Sequence, residues 1–207
     1  MDAVTGPSLA GKLLVATPSL EDPNFHRTVV LVVAHHADEG ALGLVINRPS
    51  ELEVARALPE WAPLAAPPVV VFAGGPVTPD GVICLGRTSA APGPPDVPDS
   101  PDRGETAAVT DGWETIAGDD GLGVVDLNIG PERFASTVAG VRVYAGHSGW
   151  GARQLEGELA AGGWFVVERE ADDALSMDPS ELWRRVLERQ PPKVAMFAKA
   201  PPHLSLN

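Results

Sequence analysis

The chain has 207 residues, of which 44% are hydrophobic and 21% are charged, and its formal net charge at pH 7 is −13. This length and apolar content predict one globular domain over residues 1–207 and exclude a disordered or fibrous chain. The acidic balance disfavours nucleic acids and anionic membranes as partners, because both carry negative charge.

Targeting signals and disulfides are not expected. The first apolar run, residues 13–16, is too short for the core of a signal peptide, and no run reaches the roughly 18 apolar residues that a spanning helix needs. Cys84 is the only cysteine, so no intrachain disulfide forms, and its apolar strand predicts a buried, inert thiol. We therefore expect a cytoplasmic protein that makes no membrane contact, with a flexible N-terminus at residues 1–8.

The first third of the chain indicates short strands joined by turns. Residues 13–16 predict a strand, and residues 28–34 and 41–46 predict a hairpin that turns at residues 37–40. Residues 51–58 predict a short helix. Further strands are expected at residues 69–73 and 82–85, joined through Gly74-Gly75-Pro76.

The rest of the chain indicates a proline-rich loop followed by mixed structure. Residues 91–104 predict a mobile loop, since residues 91–101 include five prolines. Asp178 is placed to cap a helix, with Pro179 at its first position and Glu181 in a capping box. The other expected elements are strands at 124–127, 141–145 and 164–167 and a helix at 151–161. Together they predict an α+β fold, a single compact domain around a large mixed, mostly antiparallel sheet with a few flanking helices.

One segment suggests a catalytic serine. Residues 141–151 place Ser148 in a Gly-rich turn after a strand and before a helix, which is the setting of a nucleophile elbow, and His203 lies downstream. The elbow needs a small residue two places after the serine, where this chain has Trp150. We prefer the interpretation that the glycines permit a tight strand-to-helix connection with Trp150 packed beneath it. No catalytic residue is assigned.

Metal and cofactor sites are not predicted either. His35 and His36 are neighbours on a strand, so their side chains point to opposite faces and cannot bind one metal ion together. The C-terminal region is basic, whereas the sequence before it is acidic. Its basic side chains are the only cluster in the sequence suited to bind nucleic acid, and we interpret them as the solvated face of a helix. The cationic residues of this region are Arg184, Arg185, Arg189, Lys193 and Lys199.

A polar loop between two strands is the first candidate for ligand binding. Asp22 and Asn24 are suited to hydrogen-bond the turn backbone, which is a structural role. Arg27 is suited to bind a carboxylate or phosphate through two hydrogen bonds. Asn47 and Arg48 follow another strand, and Arg48 is suited to bind an anion in the same way.

The second candidate is the segment 146–156. Both segments follow strands, and loops from one sheet edge gather into clefts, so Arg27, Asn24, Trp150 and Gln154 are predicted to border one shallow pocket. Glu156 and Glu158 are the expected carboxylate partners of Arg27. The alternative is two independent turns on opposite sides of the sheet.

Several segments carry a family resemblance. They are GKLLVATPSLEDPNFHRTVVLVVAHH from Gly11, GALGLVINRP from Gly40, FAGGPV from Phe72, GHSGWGARQLEGEL from Gly146, LWRRVLERQ from Leu182 and the terminal Leu206-Asn207. In this order and spacing they resemble the AlgH/YqgE family of bacterial proteins over most of the chain except the proline-rich loop. The resemblance implies a compact α+β fold in a bacterial cytosolic protein. It implies no reaction, and some members are described as transcriptional regulators.

The chain departs from the family pattern at one turn. The family commonly has tyrosine, alanine and glycine where this chain has His147, Ser148 and Arg153. The alanine weakens the nucleophile hypothesis further.

We favour a non-catalytic regulatory or interaction protein that acts on transcription indirectly, through a protein partner that the sequence leaves unidentified. The alternative is a small-molecule-binding protein or a hydrolase that uses the 22–27 loop and the 146–156 turn. Direct binding of duplex DNA is not expected, because the net charge has the wrong sign and no helix-turn-helix pattern occurs. Homo-oligomerisation stays open.

Overall fold

The computed structural model describes residues 7–89, 111–118 and 120–200. The strands are β1 Leu13–Ala16, β2 Val29–His36, β3 Gly40–Val45, β4 Pro49–Glu53, β5 Val70–Ala73, β6 Val77–Thr88, β7 Trp113–Thr115, β8 Leu122–Val125, β9 Val138–Trp150 and β10 Trp164–Val167. The α-helices are α1 Val54–Ala57, α2 Gln154–Ala160, α3 Leu182–Glu188 and α4 Pro192–Ala195. Short 3₁₀ helices cover Pro59–Leu64, Pro131–Arg133, Pro179–Glu181 and Met196–Lys199.

The described strands form one mixed sheet in the order β10-β1-β2-β3-β9-β6-β8-β7, with β4 and β5 branching from β9. The pairing of β5 with β9 is parallel, and the other strand pairs are antiparallel. The long strand β9 joins the two halves, because its last residues pair with β3 and its earlier residues pair with β6. The expected α+β domain around a mixed, mostly antiparallel sheet is confirmed.

The sheet curls until its two ends meet. Arg169, directly after β10, donates to the carbonyl oxygens of Gly11 and Ala117 and forms a two-point ion pair with Asp120. Ala117 and Asp120 lie between β7 and β8, at the other end of the strand order. Gly11 has φ +82°, and a Cβ there would lie 2.0 Å from the Ala117 oxygen, so the closure requires glycine.

Both faces of the sheet are covered. Leu13 and Leu31 face the inner cluster, whereas Leu14 and Val30 face an outer cluster covered by α2. The inside of the curl is filled by α3, which contributes Leu182, Trp183, Val186 and Leu187. Because both faces are buried, these strands have continuous apolar sequences rather than alternating ones.

Several of the predicted elements are confirmed. Strands β1 and β10 begin and end as expected, and β2 pairs with β3 as the predicted hairpin. Helix α2 lies within the expected range, residues 151–161.

The helix predicted at residues 51–58 is wrong over its first half. Residues up to Glu53 belong to the exposed strand β4, and a single helical turn, α1, follows. Hydrogen bonding to β5 outweighs the helix propensity of the Glu and Leu residues there.

The capping role of Asp178 is also wrong. Its side chain accepts the Ser180 hydroxyl at 2.7 Å, and a 3₁₀ helix precedes α3 without a side-chain cap. Glu181 bonds Arg184 instead of completing a capping box.

Some predictions fall on residues outside the described part. These are most of the flexible N-terminus predicted at residues 1–8, the proline-rich loop at 91–104, His203 and Leu206-Asn207. Among the described residues, no helix combines the length and apolar content needed to cross a membrane.

Candidate functional site

A cavity of about 430 Å³ opens between the ends of two sheet loops and the start of α3. We call it the Arg27–Arg48 hollow. Its wall is formed by His26, Arg27, Asn47, Arg48, Ser180, Glu181, Trp183 and Arg184. Three of the sequence-predicted site residues, Arg27, Asn47 and Arg48, therefore meet here.

Asn47 positions the backbone of Arg27. It is buried; its Oδ1 accepts the Val29 N–H at 2.9 Å and its Nδ2 donates to the Arg27 carbonyl at 3.0 Å. Arg27 has φ +54°, an uncommon conformation for a residue with a side chain. Outliers of this kind cluster at functional sites.

Asp22 and Asn24, at the start of the 22–27 loop, have a structural role. Asp22 Oδ1 accepts the Asn24 N–H at 2.8 Å, as expected of a turn-forming aspartate, and both residues are exposed. Neither lines the Arg27–Arg48 hollow.

The Arg27 guanidinium lies over Trp183, with 4.3 Å between its central carbon and the centroid of the ring. Trp183 is 2% exposed, and its indole N–H donates to the Ala16 carbonyl at 2.9 Å, so the stacking surface is fixed. Stacking covers one face of the guanidinium and leaves its N–H edges available to a ligand. In the part of the chain that the structure describes, neither Arg27 nor Arg48 has an ion-pair partner.

The carboxylate in the hollow already has a partner. Glu181 accepts from Arg184 Nε at 2.7 Å, and the same guanidinium bonds Glu188 at 2.6 Å. The hydrogen bonds that Arg184 donates to Glu181 and Glu188 raise the pKa of Arg184 above its ordinary value. Among the residues of the wall, those of Arg27 and Arg48 are the charges without a counterion in the described part of the chain.

The predicted pocket between Arg27 and the 146–156 segment is wrong. Phe25 does reach that segment, stacking 6.2 Å from Trp150, but Arg27 turns toward α3. Glu156 bonds His35 at 2.9 Å instead of Arg27. The shallow pocket predicted to be bordered by Arg27, Asn24, Trp150 and Gln154 therefore does not form.

Glu158 also has other partners than Arg27. Its Oε2 accepts the indole N–H groups of Trp150 and Trp164 at 2.9 and 2.8 Å, and its Oε1 accepts from Gln154 at 3.0 Å. Gln154 further accepts the Gly151 N–H at 3.1 Å. These contacts give Trp150 and Gln154 a role in packing α2 onto the sheet.

Ser148 lies within β9 rather than in a turn, and the predicted strand-to-helix connection at 146–150 is wrong. It is fully buried and donates to the Gly74 carbonyl at 3.2 Å. The glycines bring two chain segments together: a Cβ at Gly75 would lie 2.4 Å from His147, and one at Gly146 would lie 2.5 Å from the Gly75 oxygen. A buried serine bonded to a carbonyl is not placed to attack a substrate.

Three other sequence features do not form a reactive or binding site among the described residues: the cysteine, the potential metal-binding side chains and the basic residue Arg189. Burial raises the pKa of the Cys84 thiol to about 12, so it is protonated at neutral pH. Within the described ranges, no group of three or more metal-binding side chains occurs. In the basic C-terminal region, Arg189 pairs with Asp173 and Glu170.

Trp183, Glu181 and Arg184 were not among the predicted site residues. They lie in the LWRRVLERQ segment and just before it, far along the chain from Arg27 and Arg48. No local sequence pattern indicates that α3 enters the curl of the sheet and reaches this edge.

The comparison with known proteins settles the family. A family model described as AlgH-like matches residues 13–195. The chain belongs to the AlgH-like family.

Relatives match this AlgH-like chain over nearly its whole length. A UPF0301 protein of Streptomyces coelicolor is 46% identical over 200 residues, covering 97% of this chain and 96% of the relative. The crystal structure of protein DIP2367 from Corynebacterium diphtheriae has a TM-score of 0.79 at 29% identity and covers 96% of this chain and 94% of that one. The solution structure of AlgH from Pseudomonas aeruginosa has a TM-score of 0.62 at 25% identity and covers 98% and 100%.

The fold explains one departure of this chain from the AlgH-like pattern. Arg153 stands where the family commonly has glycine, and it adopts φ +61° at the start of α2. Its backbone N–H bonds Ala37 at 2.9 Å and its side chain pairs with Asp38. These contacts offset the strain of a side chain at a position that favours glycine.

Proposed function

We propose that this AlgH-like protein is a non-catalytic regulatory or interaction protein of the bacterial cytosol, and that it acts on transcription through a protein partner. The observation that carries the proposal is the Arg27–Arg48 hollow, where two arginines to which no described carboxylate is paired flank a fixed indole. Such a surface suits an anionic group presented by a partner, because arginine binds carboxylate and phosphate groups through paired hydrogen bonds.

The bonding of the serines supports binding rather than catalysis. Ser148 donates to a backbone carbonyl inside the sheet, and Ser180, in the wall of the hollow, donates to the Asp178 carboxylate at 2.7 Å. The first contact joins two distant chain segments and the second closes a local turn, so both are structural, whereas a nucleophilic serine gives its proton to a base such as imidazole.

Affinity purification of the full chain from its native host tests the proposal. Arg48→Glu reverses one charge of the hollow, and Arg27→Lys keeps the charge but loses the paired hydrogen bonds. Arg56→Glu is the matched control, because Arg56 is exposed on α1 and no described residue bonds it. We expect a partner that co-purifies with the wild type and the control but is lost with both hollow variants.

If the wild type, the control and both hollow variants co-purified with the same proteins, the role of the hollow in partner binding would be refuted.

A small-molecule-binding protein is the second candidate. The volume of about 430 Å³ lies within the range of ligand pockets, roughly 300–1,000 Å³. In that case a low-molecular-weight anion, rather than a protein, would be released when the purified wild type is denatured and would be absent from Arg48→Glu.

A further inference from the structure

The two arginines of the hollow are held in different ways. Arg27 is fixed by the Trp183 indole and by the bond from Asn47 to its carbonyl. Arg48 is exposed; its Nη2 donates to the His26 carbonyl at 2.7 Å, and its other N–H groups are open to a ligand. One rigid and one adjustable guanidinium therefore line the same cavity, and the rigid one loses little conformational entropy when it binds.

The two arginines of the hollow favour an anion with two charges. Arg184 pairs with both Glu181 and Glu188, so that cluster carries one net negative charge, and the cations of the wall left without an ion pair among the described residues are Arg27 and Arg48. A carboxylate or a phosphodiester supplies one negative charge. A phosphomonoester supplies about −1.5 to −2 at pH 7 and presents three strong acceptor oxygens, which is enough for both guanidiniums.

We infer that the Arg27–Arg48 hollow binds a phosphomonoester dianion. The inference rests on the proposed function and adds the chemical class of the group recognised. The phosphomonoester is carried by a phosphorylated side chain of a protein partner or by a small metabolite, and the cavity of about 430 Å³ leaves space for the group to which the phosphate is attached.

Calorimetric titration of the full chain with phenyl phosphate and phenyl sulfate tests the charge requirement. The two probes have similar shapes, but phenyl sulfate carries a single charge. Near pH 7.5 we expect phenyl phosphate to bind at least about tenfold more tightly. This preference should shrink as the pH falls below the second pKa of the phosphate, about 6, because the probe then loses one charge. Equal affinity for the two probes at pH 7.5 would overturn the inference.

Variants locate the binding in the hollow. Arg48→Ala and Arg27→Lys should each weaken phenyl phosphate binding by about tenfold or more, whereas Arg56→Ala should leave it unchanged. Near-UV circular dichroism checks that each variant keeps the native packing of its tryptophans. Folded variants that bind as tightly as the wild type would place the site elsewhere and refute the assignment.

A second titration distinguishes the sources of the phosphate. A phosphoserine peptide that binds more tightly than capped phosphoserine assigns the group to a partner protein, and equal affinities assign it to a metabolite. The two proposals also fail separately. Partner loss in the hollow variants without a preference for phenyl phosphate leaves the proposed function standing, and a preference for phenyl phosphate without partner loss leaves the present inference standing.

Discussion

Glu158, on α2, accepts hydrogen bonds from three side-chain donors, one each on β9, α2 and β10. Its carboxylate accepts the indole N–H groups of Trp150 and Trp164, whose residues are 6% and 4% exposed, and the amide of Gln154. Trp150 at the end of β9 and Trp164 at the start of β10 are thereby joined through one acceptor. Deleting that acceptor leaves buried donors without a partner, which is costlier than losing an exposed contact.

Glu158→Ala should therefore lower the free energy of unfolding by about 2–4 kcal/mol, since each orphaned buried donor costs about 1–3 kcal/mol. Glu158→Gln keeps one acceptor oxygen and should lose less. Urea unfolding measures both, and Glu51→Ala, on exposed β4, is the control. If Glu158→Ala were as stable as Glu51→Ala, the indole contacts would contribute nothing measurable.

Glu181 is the carboxylate in the described wall of the hollow. Its ion pair with Arg184 keeps it from pairing with Arg27 or Arg48. In Arg184→Ala, Glu181 is free to approach Arg27 or Arg48 and compete with a ligand, so phenyl phosphate affinity should fall about fivefold. Exposed ion pairs of this kind contribute little to stability, so the variant should fold.

A double-mutant cycle separates this competition from the simple loss of one positive charge. Glu181→Gln should raise phenyl phosphate affinity more in the Arg184→Ala background than in the wild type, and calorimetry measures both changes. The same gain in both backgrounds would mean that Arg184 does not restrain Glu181.

At the scale of elements, the ion pair between Arg169 and Asp120 joins the two ends of the curled sheet. Burial raises the pKa of the Asp120 carboxyl, but the hydrogen bond and charge of Arg169, with the charge of Arg87, outweigh it and hold that pKa below its ordinary value. The side chains of Arg169 and Asp120 are 5% and 15% exposed, so this pair is well shielded from water.

Asp120→Ala should destabilise the protein by about 3 kcal/mol near neutral pH, because it leaves the Arg169 guanidinium without its counterion. The folded-state pKa is below the unfolded value of about 3.9, so the stabilisation is complete above about pH 4 and is lost as the pH falls through the folded-state pKa. The difference between wild type and variant, measured by urea unfolding, should therefore shrink on acidification. Asp172→Ala, which removes an exposed contact of Arg87, is the control. A difference that is constant with pH would contradict this assignment.

The sequence predicted the elements whose patterns have a local cause. β1, β2, β3 and β10 were found because strands buried on both faces form apolar runs between turn residues. The strand predicted at residues 141–145 is shorter than β9, because Gly146 and Gly149 resemble turn residues in the sequence. In the structure, glycine at position 146 allows the close approach of Gly75.

The candidate site was predictable only in part. Arg27, Asn47 and Arg48 were selected from the sequence as separate binding candidates, and the structure places all three in one cavity, which the sequence did not predict. Their role in binding stays a prediction. Their pairing with the 146–156 segment was wrong, because Glu156 and Glu158 bond His35 and the indoles. The contribution of Trp183 depends on α3 entering the curl, which is a tertiary contact without a local signal.

At the scale of the whole molecule, the net charge of −13 surrounds the small positive hollow with an acidic field. The basic residues near the C-terminus do not reverse this field. Arg184 pairs with Glu181 and Glu188, and Arg189 pairs with Asp173 and Glu170. A duplex would have to displace these carboxylates before it could use the arginines.

We therefore expect no binding of duplex DNA at physiological ionic strength, about 0.15 M. Nonspecific DNA-binding proteins gain their affinity by releasing counterions through unpaired Lys and Arg side chains, and reach dissociation constants of about 10⁻⁴–10⁻⁶ M. Here repulsion from the acidic surface opposes that gain, so a mobility-shift assay with about 1 μM protein should show no retarded duplex. Salt-sensitive retardation at that concentration would contradict the prediction and would move the proposed action on transcription from a protein partner to the DNA itself. A Glu181→Gln, Glu188→Gln double variant provides the internal comparison. It frees Arg184 and makes the net charge less negative, so any latent DNA affinity should appear there first.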